Sequence, residues 1–386
     1  MGLVLTDEVL QRIVDELQAV APTQVARLAL VLPTQVRRAL HTRPLLASSS
    51  GVKQFLLKLG RQDKELAGQA RSLTIRRGTR SVPSTARVKG RKAKGTPAED
   101  AVTPEDLVQL AQHLTDLVEL RLLEPAFDSL RRRQVDFASR LPHLRSLSIV
   151  GRTSLAGGGF NLHTVGQVLQ ATPNLCELAL RDLNCCAGAL AGLAKPACKL
   201  SSFALFGAPS VTSEQLYWLL HASIYADSLR SLAFDVSPGV PPSHFAPVKW
   251  AATPVTRLAI TSSRAEVAQG IPQHFPSLRH FAFRSSNPVN PHRLLASCAA
   301  CGSVQTIEDR SPAEEDEEAR GVVTLAWAEA LLLARRRLPG VASLRRLALV
   351  SARRAETGWE VLEEVCRLLG VQLETFELER EAASRP

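Results

Sequence analysis

Leu144-Arg145-Ser146-Leu147-Ser148-Ile149 decides how the rest of the chain is read. Its form is apolar-x-x-apolar-x-apolar. The form returns as Leu175-Cys176-Glu177-Leu178-Ala179-Leu180, as Leu229-Arg230-Ser231-Leu232-Ala233-Phe234, and at Leu278–Phe283 and Leu344–Leu349. The last three residues alternate with the period of a strand. Two apolar side chains point one way and the residue between them points the other. Weaker copies lie at Leu117–Leu122, Leu200–Leu205, Val255–Ile260 and Leu373–Leu378, with a truncated copy near Val304–Ile307 and a degenerate strand at Leu73-Thr74-Ile75.

The spacing gives the phrase its meaning. Second anchors at positions 147, 178, 203, 232, 258 and 281 are 31, 25, 29, 26 and 23 residues apart. One strand in each unit of roughly 20–30 residues is the pattern of a leucine-rich solenoid. Helix-like runs such as Ser213–Ser223 and Gly358–Leu369 lie between copies. The chain therefore resembles leucine-rich-repeat proteins over about three quarters of its length. The resemblance implies an α/β solenoid, a horseshoe with parallel strands on the inner curve and helices outside. The family's Asn or Cys ladder after the strand is mostly absent, and the repeats are irregular.

Composition narrows the class. The 386 residues are 45% apolar, enough for a substantial core. The net charge is +10, but nine basic residues and no acid lie between Arg71 and Lys94. Without those nine the balance is +1. This is a nearly neutral protein with one basic loop, which argues against a specific nucleic-acid-binding fold. The seven cysteines are odd in number and lack framework spacing, so reduced thiols in cytoplasm or nucleus are expected. Asp7 and Glu8 interrupt any secretory signal, and Glu329 breaks the apolar run Val322–Ala334, which is too short to span a bilayer. Met1–Thr6 fits the myristoylation pattern, although Leu5 has another use below. Cys298-Ala299-Ala300-Cys301 is a lone CxxC with His292 nearby; zinc would need two further ligands, so buried structural thiols are expected, with no metal and no cofactor. There is no HExxH, GxSxG, paired carboxylate box or dinucleotide fingerprint, and the chain reads as a non-enzyme.

Three short helices are expected over residues 1–45. Val9, Leu10, Ile13, Val14 and Leu17 fall at helical spacing after a cap at Thr6 or Asp7. Pro22-Thr23 and Pro33-Thr34 open the other two. Leu5-Thr6-Asp7-Glu8-Val9-Leu10-Gln11-Arg12-Ile13-Val14-Asp15-Glu16-Leu17, followed by Ala26-Arg27-Leu28-Ala29-Leu30-Val31, resembles an F-box. The match covers about 40 residues. It departs at Thr6, where the family usually has Pro, and at Leu32-Pro33. F-box proteins of the fungal type often pair this unit with irregular leucine-rich repeats. The resemblance implies that Leu5, Val9, Leu10, Ile13, Leu17, Leu28 and Leu30 bind the small linker subunit of a cullin-type (SCF) ubiquitin ligase. The solenoid, residues 46–380, would then hold a protein substrate. Two other readings stay open. One is a scaffold or inhibitor whose N-terminal helices only cap the first repeat. The other is a GTPase-activating solenoid, for which nothing singles out a rim Arg or Asn. A monomer is expected before any complex assembles, with no membrane partner.

Two insertions interrupt the solenoid. Residues 76–103 lack periodicity and are read as disordered; Arg87, Lys89, Arg91, Lys92 and Lys94 there read as a nuclear-import patch or a docking site for an acidic surface, or else as part of a solvated insertion without a role. Residues 311–320 carry Glu314-Glu315-Asp316-Glu317-Glu318 and read as a solvated acidic loop before a helix over Leu325–Leu338. The concave face should present Ala179, Ala204, Ala233, Ala259 and Ala282. Arg181, Phe206, Asp235, Arg257, His280 and Arg284 flank them as substrate-binding candidates.

Overall fold

A computed structural model describes residues 13–14, 42–46, 49–60, 68, 70–76, 104–123, 136–151, 162–182, 192–207, 213–225, 227–236, 253–311, 317–351 and 358–377. The chain divides into two compact units, Met1–Cys198 and Lys199–Pro386.

In the first unit the strands are β1 (Leu45–Leu46), β2 (Ser72–Arg76), β3 (Glu119–Leu123), β4 (Ser146–Val150) and β5 (Glu177–Arg181). They pair in chain order, all parallel. The helices are α1 (Ser49–Gly60), α2 (Pro104–His113), α3 (Asp136–Ser139) and α4 (Leu162–Ala171), each packed on the next. Register explains the sequence phrase. Leu73, Leu120, Leu147 and Leu178 stand opposite one another, as do Ile75, Leu122, Ile149 and Leu180, and all eight are at most 2% exposed. No single repeat could enclose these rows; stacking does it.

The second unit repeats the scheme with β6 (Ser202–Phe206), β7 (Ser231–Val236), β8 (Arg257–Ser262), β9 (His280–Ser285), β10 (Thr306–Asp309), β11 (Arg346–Val350) and β12 (Gln372–Phe376). These too pair parallel and in chain order. Its helices are α5 (Ser213–Tyr225), α6 (Ala265–Gly270), α7 (Pro291–Cys301), α8 (Glu317–Arg337) and α9 (Trp359–Leu369), with α6 to α9 packed in succession. One row runs Phe203, Leu232, Leu258, Phe281, Ile307, Leu347, Leu373. The α7 boundaries are chemically marked. Asn290 Oδ1 accepts from the N–H groups of His292 and Arg293, Pro291 follows the cap, and Gly302 ends the helix at φ 68°.

An α/β solenoid of parallel strands alternating with helices is therefore the fold of each unit, as the repeat spacing predicts. Several details differ. The acidic stretch expected to be a loop over 311–320 is not wholly one: Ser311 is buried, and α8 begins at Glu317 rather than Leu325. Glu317 and Glu318, the end of the acidic run, open α8, and acidic residues suit the positive end of a helix. The copy expected at Leu373–Leu378 is displaced by three residues. Leu373 pairs with Leu347, so it is the second anchor and not the first. Strand β1 is two residues long and carries no phrase. Of the N-terminal helices only Ile13 and Val14 are described, both helical. Arg76, expected at the start of the basic insertion, is instead the last residue of β2, paired with Leu123; the import patch and residues 77–103 lie outside the described residues.

Candidate functional site: the polar strand face of the second unit

Alternation along each strand fixes what the face away from the core presents. In the second unit the middle row is Ala204, Ala233, Ala259, Ala282, Glu308, Ala348 and Glu374 in register. The alanines expected on this face are there: Ala204, Ala233 and Ala259 are half-buried and Ala282 is buried; Ala179 holds the same position in the first unit. Two residues earlier or later on each strand lie the expected flanking groups.

Arg181 ends β5 in the first unit and is exposed. Phe206 and Asp235 are half-buried at the ends of β6 and β7. Asp235 Oδ2 accepts the Gly207 N–H at 2.8 Å, so it closes the preceding strand end. Arg257 and His280 are register partners across β8 and β9, and Arg284 pairs in register with Thr261. Of the linker-binding candidates, Leu5, Val9, Leu10, Leu17, Leu28 and Leu30 lie outside the described residues. Ile13 is half-buried, and its neighbour Val14 is 0% exposed.

The structure adds residues that the phrase did not reveal. Glu308 stands one strand beyond His280, and His280 Nε2 is 3.3 Å from its Oε1. Arg310 Nη2 donates to Glu308 Oε2 at 2.7 Å. These contacts hold the Glu308 carboxyl at about 2, well below its ordinary 4.5. The hydrogen bond from His280 is the largest cause, and the Arg310 bond and both positive charges add to it; burial opposes them. Arg346 and Glu374 form a second ion pair across β11 and β12. The missed signal was a polar centre, Thr306-Ile307-Glu308-Asp309, in a strand whose copy is legible in the sequence only as far as Val304–Ile307.

The backbone beneath is rigid. At the start of β8 to β11 one carbonyl of the preceding repeat accepts two N–H groups: Arg230 O from Thr256 and Arg257, Thr256 O from Arg279 and His280, Arg279 O from Gln305 and Thr306, and Gln305 O from Arg345 and Arg346. Side chains on this ladder are held at fixed spacing, which suits recognition of a partner surface.

The thiols are of another kind. Cys298 is buried and its thiol is pushed up by desolvation; Cys301, half-buried, rises to about 11 for the same reason and donates to Pro272 O. Among the described residues no group of three or more His, Cys, Asp or Glu could hold a metal ion, and no helix is long and apolar enough to cross a membrane.

The fold and this face define a leucine-rich-repeat-type solenoid with a polar strand surface. No family model matches the sequence, and no curated protein matches it. Among solved structures, the crystal structure of the yeast Rad7 and Elc1 complex is similar to this chain. The likeness covers 91% of this chain and 94% of that one, at 13% identity and a TM-score of 0.37.

Proposed function

We propose that this protein is a substrate-recognition adaptor of a cullin-type ubiquitin ligase, acting without catalysis of its own in the cytoplasm or nucleus. In this reading the N-terminal helices dock on the ligase's linker subunit, and the polar strand face holds a protein substrate for other subunits to modify. The observation that carries it is the two-faced strand layer. One face is sealed against helices, while the other lays charged side chains on a hydrogen-bonded ladder, behind a segment that reads as an F-box. The basic run from Arg87 to Lys94 serves nuclear import on this reading.

The scaffold or inhibitor reading, with a helical cap, has its own support. Val14 is fully buried, which a cap requires and a docking helix with its own core also allows. The half-exposed Ile13 is what a docking surface requires. The experiment is affinity capture of the tagged full chain, probed for the linker subunit and the cullin. Recovery of both, lost in Leu10→Ala/Ile13→Ala, is expected. Capture of neither by the unaltered chain sinks the adaptor reading.

A further inference from the structure

The charges on the strand face are not spread evenly. Consider the last residue before each strand and the first residue within it, from β7 to β12. These twelve positions include Arg230, Arg257, Arg279, His280, Arg345 and Arg346, and no carboxylate. Four of these arginines, Arg230, Arg257, Arg279 and Arg345, are exposed. Among the described residues Arg257, Arg279 and Arg345 have no ion-pair partner. Among the described residues Arg230 donates to the Asp227 carbonyl and has no ion-pair partner. Arg346 is offset by Glu374, and His280 by Glu308. The opposite ends of the strands show no such bias, since Asp235, Arg284 and Arg310 are mixed in sign.

We infer that this arginine edge of the second unit binds an acidic, extended segment of a partner protein. The inference rests on the reading of the strand face as the substrate-holding face, and it names the substrate's chemistry. Geometry sets the length. From β7 to β11 there are four inter-strand steps of about 4.8 Å, so the edge spans about 19 Å. An extended chain rises about 3.3 Å per residue, and about six residues cover that distance. Arginine suits carboxylates because its planar fork donates two parallel hydrogen bonds. A nucleic acid fits less well. The twelve positions hold no Phe, Tyr or Trp on which a base could stack.

The test is fluorescence anisotropy with the full chain and a fluorescein-labelled peptide of alternating Asp and Glu. The background carries Arg87, Lys89, Arg91, Lys92 and Lys94 each replaced by Gln, so that the basic loop does not compete. A labelled Asn/Gln peptide and a labelled oligothymidylate are the comparison probes. Arg257→Glu with Arg279→Glu should weaken the acidic peptide on the order of tenfold or more, and binding should fall with added salt. Arg257→Gln with Arg279→Gln should give a smaller loss of the same sign. Arg264→Glu, exposed at the other end of the strands, should leave affinity unchanged. The inference falls if both double variants bind like Arg264→Glu, or if the oligothymidylate binds more tightly than the acidic peptide. Linker-subunit capture is read on the same variants. Its loss or absence bears on the ligase reading alone, while an intact arginine dependence keeps the edge assignment standing.

Discussion

His280 Nε2 lies 3.3 Å from Glu308 Oε1 across the β9–β10 pairing, and Arg310 holds the same carboxylate from its own strand. Because the folded carboxyl is depressed from 4.5 to about 2, its contribution to stability is complete above pH 4.5 and disappears as pH falls through about 2. His280 and Arg310 keep 30% and 48% of their side-chain surface in water, so the full shift is discounted, leaving about 1–2 kcal/mol. Glu308→Gln should lower the melting temperature at pH 7, and the difference from the unaltered chain should shrink as acid is added from pH 4.5 downward. A difference that stays constant across the acid range would show that the ion pairs contribute nothing.

Asp309 occupies a core position. It stands in register with Phe283 and Leu349, where other repeats place an apolar anchor, and it is 2% exposed. Its Oδ1 accepts the Ser311 N–H at 3.0 Å, and Ser311 Oγ in turn accepts the Ser285 N–H at 3.0 Å. Asp309→Ala leaves a buried donor unmet and should cost about 1–3 kcal/mol in denaturant unfolding. Asp309→Asn keeps an acceptor and should cost less. Equal loss in the two variants would mean that volume matters here, and the hydrogen bond does not.

The same residue shows where sequence reading stops. Copies such as Leu278–Phe283 are legible because both anchors are apolar and the residue between them is not large. In β10 the third anchor is Asp309, so only Val304–Ile307 is visible and the strand's polar middle goes unread. In β12 the slot is Thr375, and the phrase was placed three residues late. Arg257 and His280 were found because they neighbour clear anchors. Glu308, Arg346 and Glu374 became site residues only through cross-strand register, which one sequence does not contain. The arginine edge escaped notice for the same reason, since residues such as Arg230 and Arg345 lie 115 positions apart in the chain and are gathered by stacking alone.

The buried thiols should be slow to react. Desolvation raises Cys366 to about 12, and Cys198 and Cys301 to about 11, so each is protonated at neutral pH and a poor nucleophile. Cys298 is shifted the same way. Cys176 is half-buried. Brief labelling of the native chain with a maleimide at pH 7.5, mapped by mass spectrometry, should modify Cys176 before Cys298, Cys366 or Cys198. Early modification of Cys298 would mean that α7 opens readily.

Ile13 and Val14 separate the two N-terminal readings through opposite behaviour of adjacent residues. Val14 is 0% exposed and should be part of a core under either reading, so Val14→Ala should cost roughly 2 kcal/mol and lower the melting temperature. Ile13 retains contact with water, and the readings diverge there. If its face docks a linker subunit, Ile13→Asp should leave the melting temperature within about 0.5 kcal/mol of the unaltered chain, as surface changes do, while abolishing capture of that subunit. If the helix is only a cap, the apolar side of Ile13 packs inward, and a buried carboxylate should destabilise the chain by several kcal/mol with no partner lost. Thermal unfolding and affinity capture of the same purified variant decide between them. Stability without capture loss would mean that Ile13 serves neither role and that docking, if it occurs, uses another face of the N-terminal segment.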